Sequence, residues 1–164
     1  MSLSRYIIIF LAITTNVYAL IIDNKKPIDI EAKEAEMNKK IGITTYTGNV
    51  IITQGTLKLT ANKVDIFHDE KDVKKIIAIG NKKKPAQYKQ QRDKHNDYIY
   101  AEAISITYLV NDNFIKLRNK ASLKRGEVDS FSGDYLDYDI AKDKVLAKKS
   151  KTGKDRVKFR IKVD

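Results

Sequence analysis

The stretch YTGNVIITQGTLKLTANKVDIF, Tyr46 to Phe67, alternates apolar and polar residues as a β-strand does, yet the alternation changes phase twice. Val50 and Ile52 fall on even positions, Leu57, Leu59 and Ala61 on odd ones, and Val64 and Ile66 on even ones again. The first change surrounds Gly55, where a turn between Ile52 and Leu57 makes a hairpin of the two halves. The second is a three-residue step from Ala61 to Val64. Such a step moves the apolar face to the other side of a sheet unless the strand bends or bulges there. A corner at Ala61 keeps Val50, Ile52, Leu57, Leu59, Val64 and Ile66 on one interior.

The same step recurs. A small residue is followed at three and five positions by apolar ones in Ala32, Ala35, Met37; in Ala61, Val64, Ile66; in Ala101, Ile104, Ile106; and in Gly133, Leu136, Tyr138. Small residues suit corners because a bend brings backbones together. The recurrence predicts a rung-like sheet that turns a corner in each rung. Glu31 to Lys40 is rich in helix formers, but its alternation with the preceding PIDIEA favours two strand segments joined at a bend. Further alternating pieces are Ile77 to Ile79, Ile99 to Tyr108, Ile115 to Leu123 and Leu136 to Tyr138. They are separated by the polar turns HDEKD from His68, RDKHND from Arg92, NDN from Asn111 and KRGEVDS from Lys124. Many short strands and almost no helix signal after the leader indicate an all-β sandwich, barrel or jelly roll.

A chain of 164 residues is one domain by size. Residues 1–19 read as a secretory signal: Arg5, the apolar run YIIIFLAI, then TTNVYA ending in Ala19. Cleavage after Ala19 is the expectation, and a retained membrane anchor extended by Leu20 to Ile22 is the competing reading. The rest divides into a β domain over 20–140 and a basic tail over 141–164, with a last strand possible to about 149. The chain has no cysteine, so an exported domain of this sequence relies on its apolar core rather than on disulfides. The net charge is +11, and the ten Lys and Arg after Ile140 face only Asp143, Asp155 and Asp164. In an exported protein such a balance suits phosphorylated lipids or acidic proteins.

Catalytic patterns do not emerge. His68 and His95 sit in charged turns with no partnering pattern, and Asp134, Asp137 and Asp139 lack the Gly-centred loop of a calcium site. Gly48 and Gly55 are turn glycines rather than a phosphate cradle. No metal or cofactor is expected, and no enzyme. An inward apolar stripe is ordinarily core; it becomes a lipid slot only if the two faces of a sandwich can stay apart.

Five segments resemble the LptA (OstA-like) family of periplasmic lipopolysaccharide-transport proteins: KPIDIEA (Lys26 to Ala32), Tyr46 to Ile66, KKPAQYKQ (Lys83 to Gln90), ITYLVNDNFIKLRNKASL (Ile106 to Leu123) and GDYLDYD (Gly133 to Asp139). The resemblance implies a twisted β-jelly roll, open at both ends, that carries lipopolysaccharide across the periplasm. It implies head-to-tail copies joined through edge strands, an inner-membrane LptC-like anchor with its ATPase complex, and an outer-membrane LptD-like receptor. It places Ile28 and Ile30 on an N-terminal strand lining the groove. It makes Val50, Ile52, Leu57, Leu59, Val64, Ile66, Ile104, Ile106, Ile115, Leu117 and Leu136 its inward residues. Lys58, Lys63, Lys116 and Lys124 are candidate phosphate partners. The alternatives are a membrane-anchored LptC-like component and a self-associating structural β-protein without lipid. A nucleic-acid partner is disfavoured, since neither an aromatic-rich sheet face nor a recognition helix is evident.

Overall fold

The computed structural model describes residues 23, 26–69, 72–92, 97–149 and 156–161, so the leader and His95 lie outside the described residues. The chain runs through β1 (Asp29–Glu31), β2 (Glu34–Asn38), β3 (Ile43–Gln54), β4 (Leu57–Asp69), β5 (Asp72–Ile79) and β6 (Ala86–Gln91). It continues through β7 (Tyr98–Ala103), β8 (Ser105–Leu109), β9 (Phe114–Arg125), β10 (Asp129–Asp139), β11 (Lys144–Lys148) and β12 (Lys158–Arg160). All twelve belong to one antiparallel sheet, and no α-helix occurs among the described residues.

The hairpin of β3 and β4 shows how the sheet folds. Val50 pairs with Ala61 and Thr47 with Lys63, so β3 carries one extra residue at that level. Gly48 and Asn49 absorb it with φ of 86° and 51°, conformations that glycine and asparagine tolerate best. On β4 the three-residue step from Ala61 to Val64 keeps both side chains buried. The hairpin of β9 and β10 repeats the device: Gly133 pairs with Ala121 and Tyr135 with Arg118, with Asn119 and Lys120 at φ 64° and 53°. Elsewhere the corner is a break between strands: Ala32 and Lys33 between β1 and β2, Gly80 to Pro85 between β5 and β6, and Ile104 between β7 and β8.

These corners align into one crease. On one side, limb 1, the pairing order is β1, β3, β4, β6, β7, β9, β10, β12; on the other, limb 2, it is β2, β3, β4, β5, β8, β9, β10, β11. The sheet is thus folded lengthwise into two facing layers, a jelly roll whose strands run across its long axis. Backbone bonds stitch the crease, Gly80 N–H to Ile104 O at 2.9 Å and Ile104 N–H to Asn119 O at 3.0 Å.

Three expectations are corrected. Ala35 and Met37 are exposed, Met37 by 61%, because β2 is an edge strand with no layer over it. Ile104 is half-buried at the bend: the inward phase runs through Ala101 and Ala103 and resumes at Ile106, so the corner falls two residues after the small residue. His68 lies on β4 rather than in a turn, half-buried with Nε2 3.3 Å from Thr44 Oγ1.

Gly80 tests the crease. A Cβ there would lie 2.3 Å from Ala86 N and 2.5 Å from Pro85 C, both backbone atoms that cannot swing aside. Gly80→Ala is expected to lower unfolding free energy by about 1–3 kcal/mol, read as a lower urea midpoint. An unchanged midpoint would mean the corner is not tightly packed.

Candidate functional site

The space between the limbs is lined by rows of side chains that run from one open edge to the other. In limb 1 one row is Ile30, Ile52, Leu59, Tyr88, Ala101, Leu123, Phe131 and Phe159, each directly opposite the next across paired strands. In limb 2 the matching row runs Tyr46, Val64, Ala78, Ile106, Leu117, Leu136 and Ala147. Of the residues that the sequence assigns to the groove, Val50, Ile52, Leu57, Leu59, Val64, Ile66, Ile106, Ile115, Leu117 and Leu136 are buried. Ile28 and Ile30 are half-buried and pack against this core near the first edge, and Ile104 stands at the crease. The middle of the interior is filled: Ile52, Leu59, Val64, Ile106, Ile115, Leu117, Leu123 and Leu136 are all fully buried. The rows do not stop at the core. Phe159, 51% exposed, meets Phe131 edge-to-face at 4.9 Å on the last strand.

Opposite the crease, the free ends of the two limbs meet along a polar seam. Buried Asp23 accepts hydrogen bonds from Thr56 N–H (3.1 Å), Thr56 Oγ1 and Gln90 Nε2 (3.0 Å). Burial opposes its charge, but those donors outweigh burial and hold its carboxyl below the ordinary value. Tyr88 donates to Gln90 Oε1, and its ring meets Tyr108 of limb 2 edge-to-face at 5.7 Å. Burial, with the Asp23 charge adding to it, pushes the Tyr108 hydroxyl up to about 12. Toward the other end Asp143, in the β10–β11 turn of limb 2, reaches across to limb 1. It pairs with Arg92 Nη1 at 3.0 Å and Arg125 Nη1 at 2.8 Å, and accepts from Tyr138 OH at 2.8 Å. Arg92 also pairs with Asp97, and Arg125 with Asp129 at 2.5 Å. Two arginines and a carboxylate therefore latch the lips of the fold.

With an apolar interior, open edges and a latched seam in view, the comparisons with known proteins decide the family. Residues 29–144 match the model of the LptA/(LptD N-terminal domain) LPS transport protein family. The chain belongs to this family. It is 33% identical over 147 residues to the lipopolysaccharide export system protein LptH of Pseudomonas aeruginosa, covering 89% of this chain and 81% of that protein. It is 31% identical over 138 residues to the lipopolysaccharide export system protein LptA of Escherichia coli K12, covering 84% and 72%. The crystal structure of LptH, described as the LptA-homologous periplasmic component of the lipopolysaccharide transport device, superposes with a TM-score of 0.77 at 28% identity. That match covers 87% of this chain and 99% of LptH.

The LptH crystal structure shares the folded sheet. Among the described residues no cluster of three metal-ligating side chains occurs. Asp137 pairs with Arg118 at 2.6 Å and Asp139 with Lys142 at 3.1 Å, so these carboxylates are engaged by cations of the sheet surface. The seam was not among the groups singled out from the sequence. Its one legible signal is AQYKQQ, where Gln90 takes the inward position after Ala86 and Tyr88 and so announces a buried amide needing a partner.

The latch has a pH signature. Burial opposes the Asp143 charge, but Tyr138 and Arg125 hydrogen bonds and the two arginine charges lower its carboxyl below the ordinary value. A depressed folded value gives stability that is complete above the unfolded value of about 3.9 and is lost as pH falls through the folded one. Asp143 has φ 51°, which asparagine tolerates, so Asp143→Asn removes charge without backbone strain. The variant is expected to lose about 1 kcal/mol at pH 7, with the gap to wild type closing as pH falls below about 4 in urea unfolding. A gap independent of pH would contradict a charge-based latch.

Proposed function

We propose that the protein is a periplasmic lipopolysaccharide carrier that holds acyl chains between the two limbs and passes them along the axis of the fold. One observation carries this reading. The inward apolar rows are continuous across the sheet and reach the last strand still apolar and exposed at Phe159, where a self-contained core would be capped. Membership of a lipopolysaccharide-transport family supports it, as do relatives named lipopolysaccharide export system proteins.

The energetics fit. An acyl chain of about a dozen carbons gains on the order of 10 kcal/mol by leaving water, so a lipid with several chains does not cross an aqueous gap unaided. The interior is filled in this state, so chains enter by parting the limbs at the seam. The lost contacts between Ile52, Leu59, Ile66, Ile106 and Leu117 are replaced by contacts with the chains. Opening the Asp143 latch exposes Arg92 and Arg125 beside the entering lipid.

Copies stack head to tail. On one edge, β1 and β2 pair only with β3 among the described strands; on the other, β11 and β12 pair only with β10. The first edge carries Asp29, Glu31, Glu34 and Glu36, the last Lys144, Lys148, Lys158 and Arg160, so pairing edges of two copies joins opposite charges. The stack connects to an LptC-like anchor with an ATPase complex at the inner membrane and an LptD-like receptor at the outer one. The ATPase supplies the directional energy.

Site-specific photo-crosslinking tests both parts. A photoreactive residue at Ile30, Ile52 or Ile66 is expected to capture lipopolysaccharide in cells, and one at Met37 to capture a second copy near Leu146. Failure of all three interior positions to capture lipid would sink the carrier reading in favour of a structural β-protein.

A further inference from the structure

The outer face of limb 1 carries a row of cations that the fold does not explain. Lys58 on β4 stands directly opposite Lys89 on β6, Lys89 opposite Tyr100 on β7, Tyr100 opposite Lys124 on β9, and the row ends through Ser130 at Arg160. These four cations and Tyr100 are all exposed. Like charges directly opposite one another destabilise a sheet, so Lys58 against Lys89 is a cost with no structural return. On the other layer Asp69 stands opposite Asp72, but Lys74 bridges the two carboxylates. On limb 2, Lys63 pairs with Asp65, Lys74 with Asp69 and Asp72, Arg118 with Asp137 and Lys142 with Asp139. Among the described residues, no carboxylate lies within ion-pair distance of Lys58, Lys89, Lys124 or Arg160.

The row also has shape. Lys58, Lys89, Tyr100, Ser122, Lys124 and Glu102 line a cleft of about 660 Å³. Lys89 Nζ sits 4.5 Å from the Tyr98 ring centroid and 5.3 Å from that of Tyr100, and Tyr100 remains 43% exposed. Glu102 is the single carboxylate present, and it accepts from Gln87 at 3.4 Å. Three ammonium groups spread over about 14 Å, three strand spacings, match an extended polyanion better than a single ion. An exposed tyrosine ring among hydroxyl and amide groups offers an apolar face with polar neighbours, which suits a sugar ring. Lys58, Lys89 and Lys124 lie within three residues of Gly55, Arg92 and Gly126, the rim where limb 1 ends at the seam.

We infer that this row is a binding site for a phosphorylated saccharide, and that it carries the polar part of an amphiphile whose tails lie between the limbs. The inference rests on the carrier reading for the position of the tails, and on the unpaired cation row for the site itself. A head emerging at the seam folds over the rim onto Lys58, Lys89 and Lys124, its phosphates meeting the ammonium groups and its sugar rings lying against Tyr100. Because the row crosses the strands, it runs parallel to the apolar rows inside. Head and tails thus travel on the two faces of one layer.

The test uses the full chain and deacylated lipopolysaccharide, a phosphorylated oligosaccharide without tails, in titration calorimetry at low salt. Wild type is expected to bind it. The triple variant Lys58→Gln, Lys89→Gln, Lys124→Gln is expected to bind about tenfold more weakly. Removing the same charge from limb 2, by Lys74→Gln, Lys75→Gln and Lys142→Gln, is expected to change nothing, and this variant separates a site from general electrostatics. Equal affinity of wild type and the first variant would overturn the inference. So would equal binding of the enzymatically dephosphorylated saccharide, full displacement by inorganic phosphate at the same concentration, or tighter binding of a single-stranded oligothymidylate. Wild type that binds intact lipopolysaccharide but ignores the deacylated form refutes the row and leaves the groove standing. Intact lipopolysaccharide binding no more tightly than the deacylated form counts against the groove and not against the row.

Discussion

Everything in this fold depends on the alignment of its corners. An antiparallel sheet whose strands alternate without interruption buries one face against something else. Here each rung shifts its apolar phase at the same level, so the sheet doubles back and buries its face against itself. The devices differ along the crease: a three-residue step at Ala61 and at Gly133, paired left-handed residues at Gly48–Asn49 and Asn119–Lys120, and a tight passage at Gly80. Their common result is two layers of side chains facing each other with open edges at both ends. A barrel would have closed those edges, and a sandwich of two separate sheets would have no crease to hinge on.

That arrangement makes the same residues serve as core and as candidate passage. Ile52, Leu59, Ile106 and Leu117 stabilise the protein where the limbs touch; in the proposed function they offer equivalent contacts to acyl chains when the limbs part. Exchange of one apolar neighbour for another changes little in free energy compared with exposing either to water. In the proposed function the polar seam sets which state is held in the absence of cargo. Its Arg92–Asp143–Arg125 latch and the Asp23 network are local, charge-assisted and opposite the crease, where they restrain opening without stiffening the interior. Outside, limb 2 pairs Lys63, Lys74, Arg118 and Lys142 with carboxylates while limb 1 leaves a row of lysines unmatched.

Much of this was legible in the sequence, because side-chain period and corner steps are local. Leu57, Leu59, Ala61, Val64 and Ile66 announce a bent strand by spacing alone, and the family resemblance to Tyr46 to Ile66 gave the bend a purpose. What spacing could not give is which neighbour covers a residue. Met37 alternates as an inward residue does but lies on an edge strand, and the phase of Ile104 shifts because the chain breaks there instead of stepping at Ala101. The seam was hidden for another reason. Asp23, the Gln90–Arg92 pair, Arg125 and Asp143 are far apart along the chain, and only the folding of one limb onto the other brings them together. The lysine row is likewise invisible until register sets Lys58 opposite Lys89.

The central claim is that lipid enters by parting the limbs. The chain has no cysteine, so Gln87→Cys and Thr107→Cys place two unique spin labels on the outer faces of limb 1 and limb 2, next to the facing Tyr88 and Tyr108. Double electron–electron resonance then reads the distance between layers with and without lipopolysaccharide. Lipid is expected to widen it by about 4 Å or more, one layer of carbon contacts. An unchanged distance in the presence of bound lipid would contradict the account.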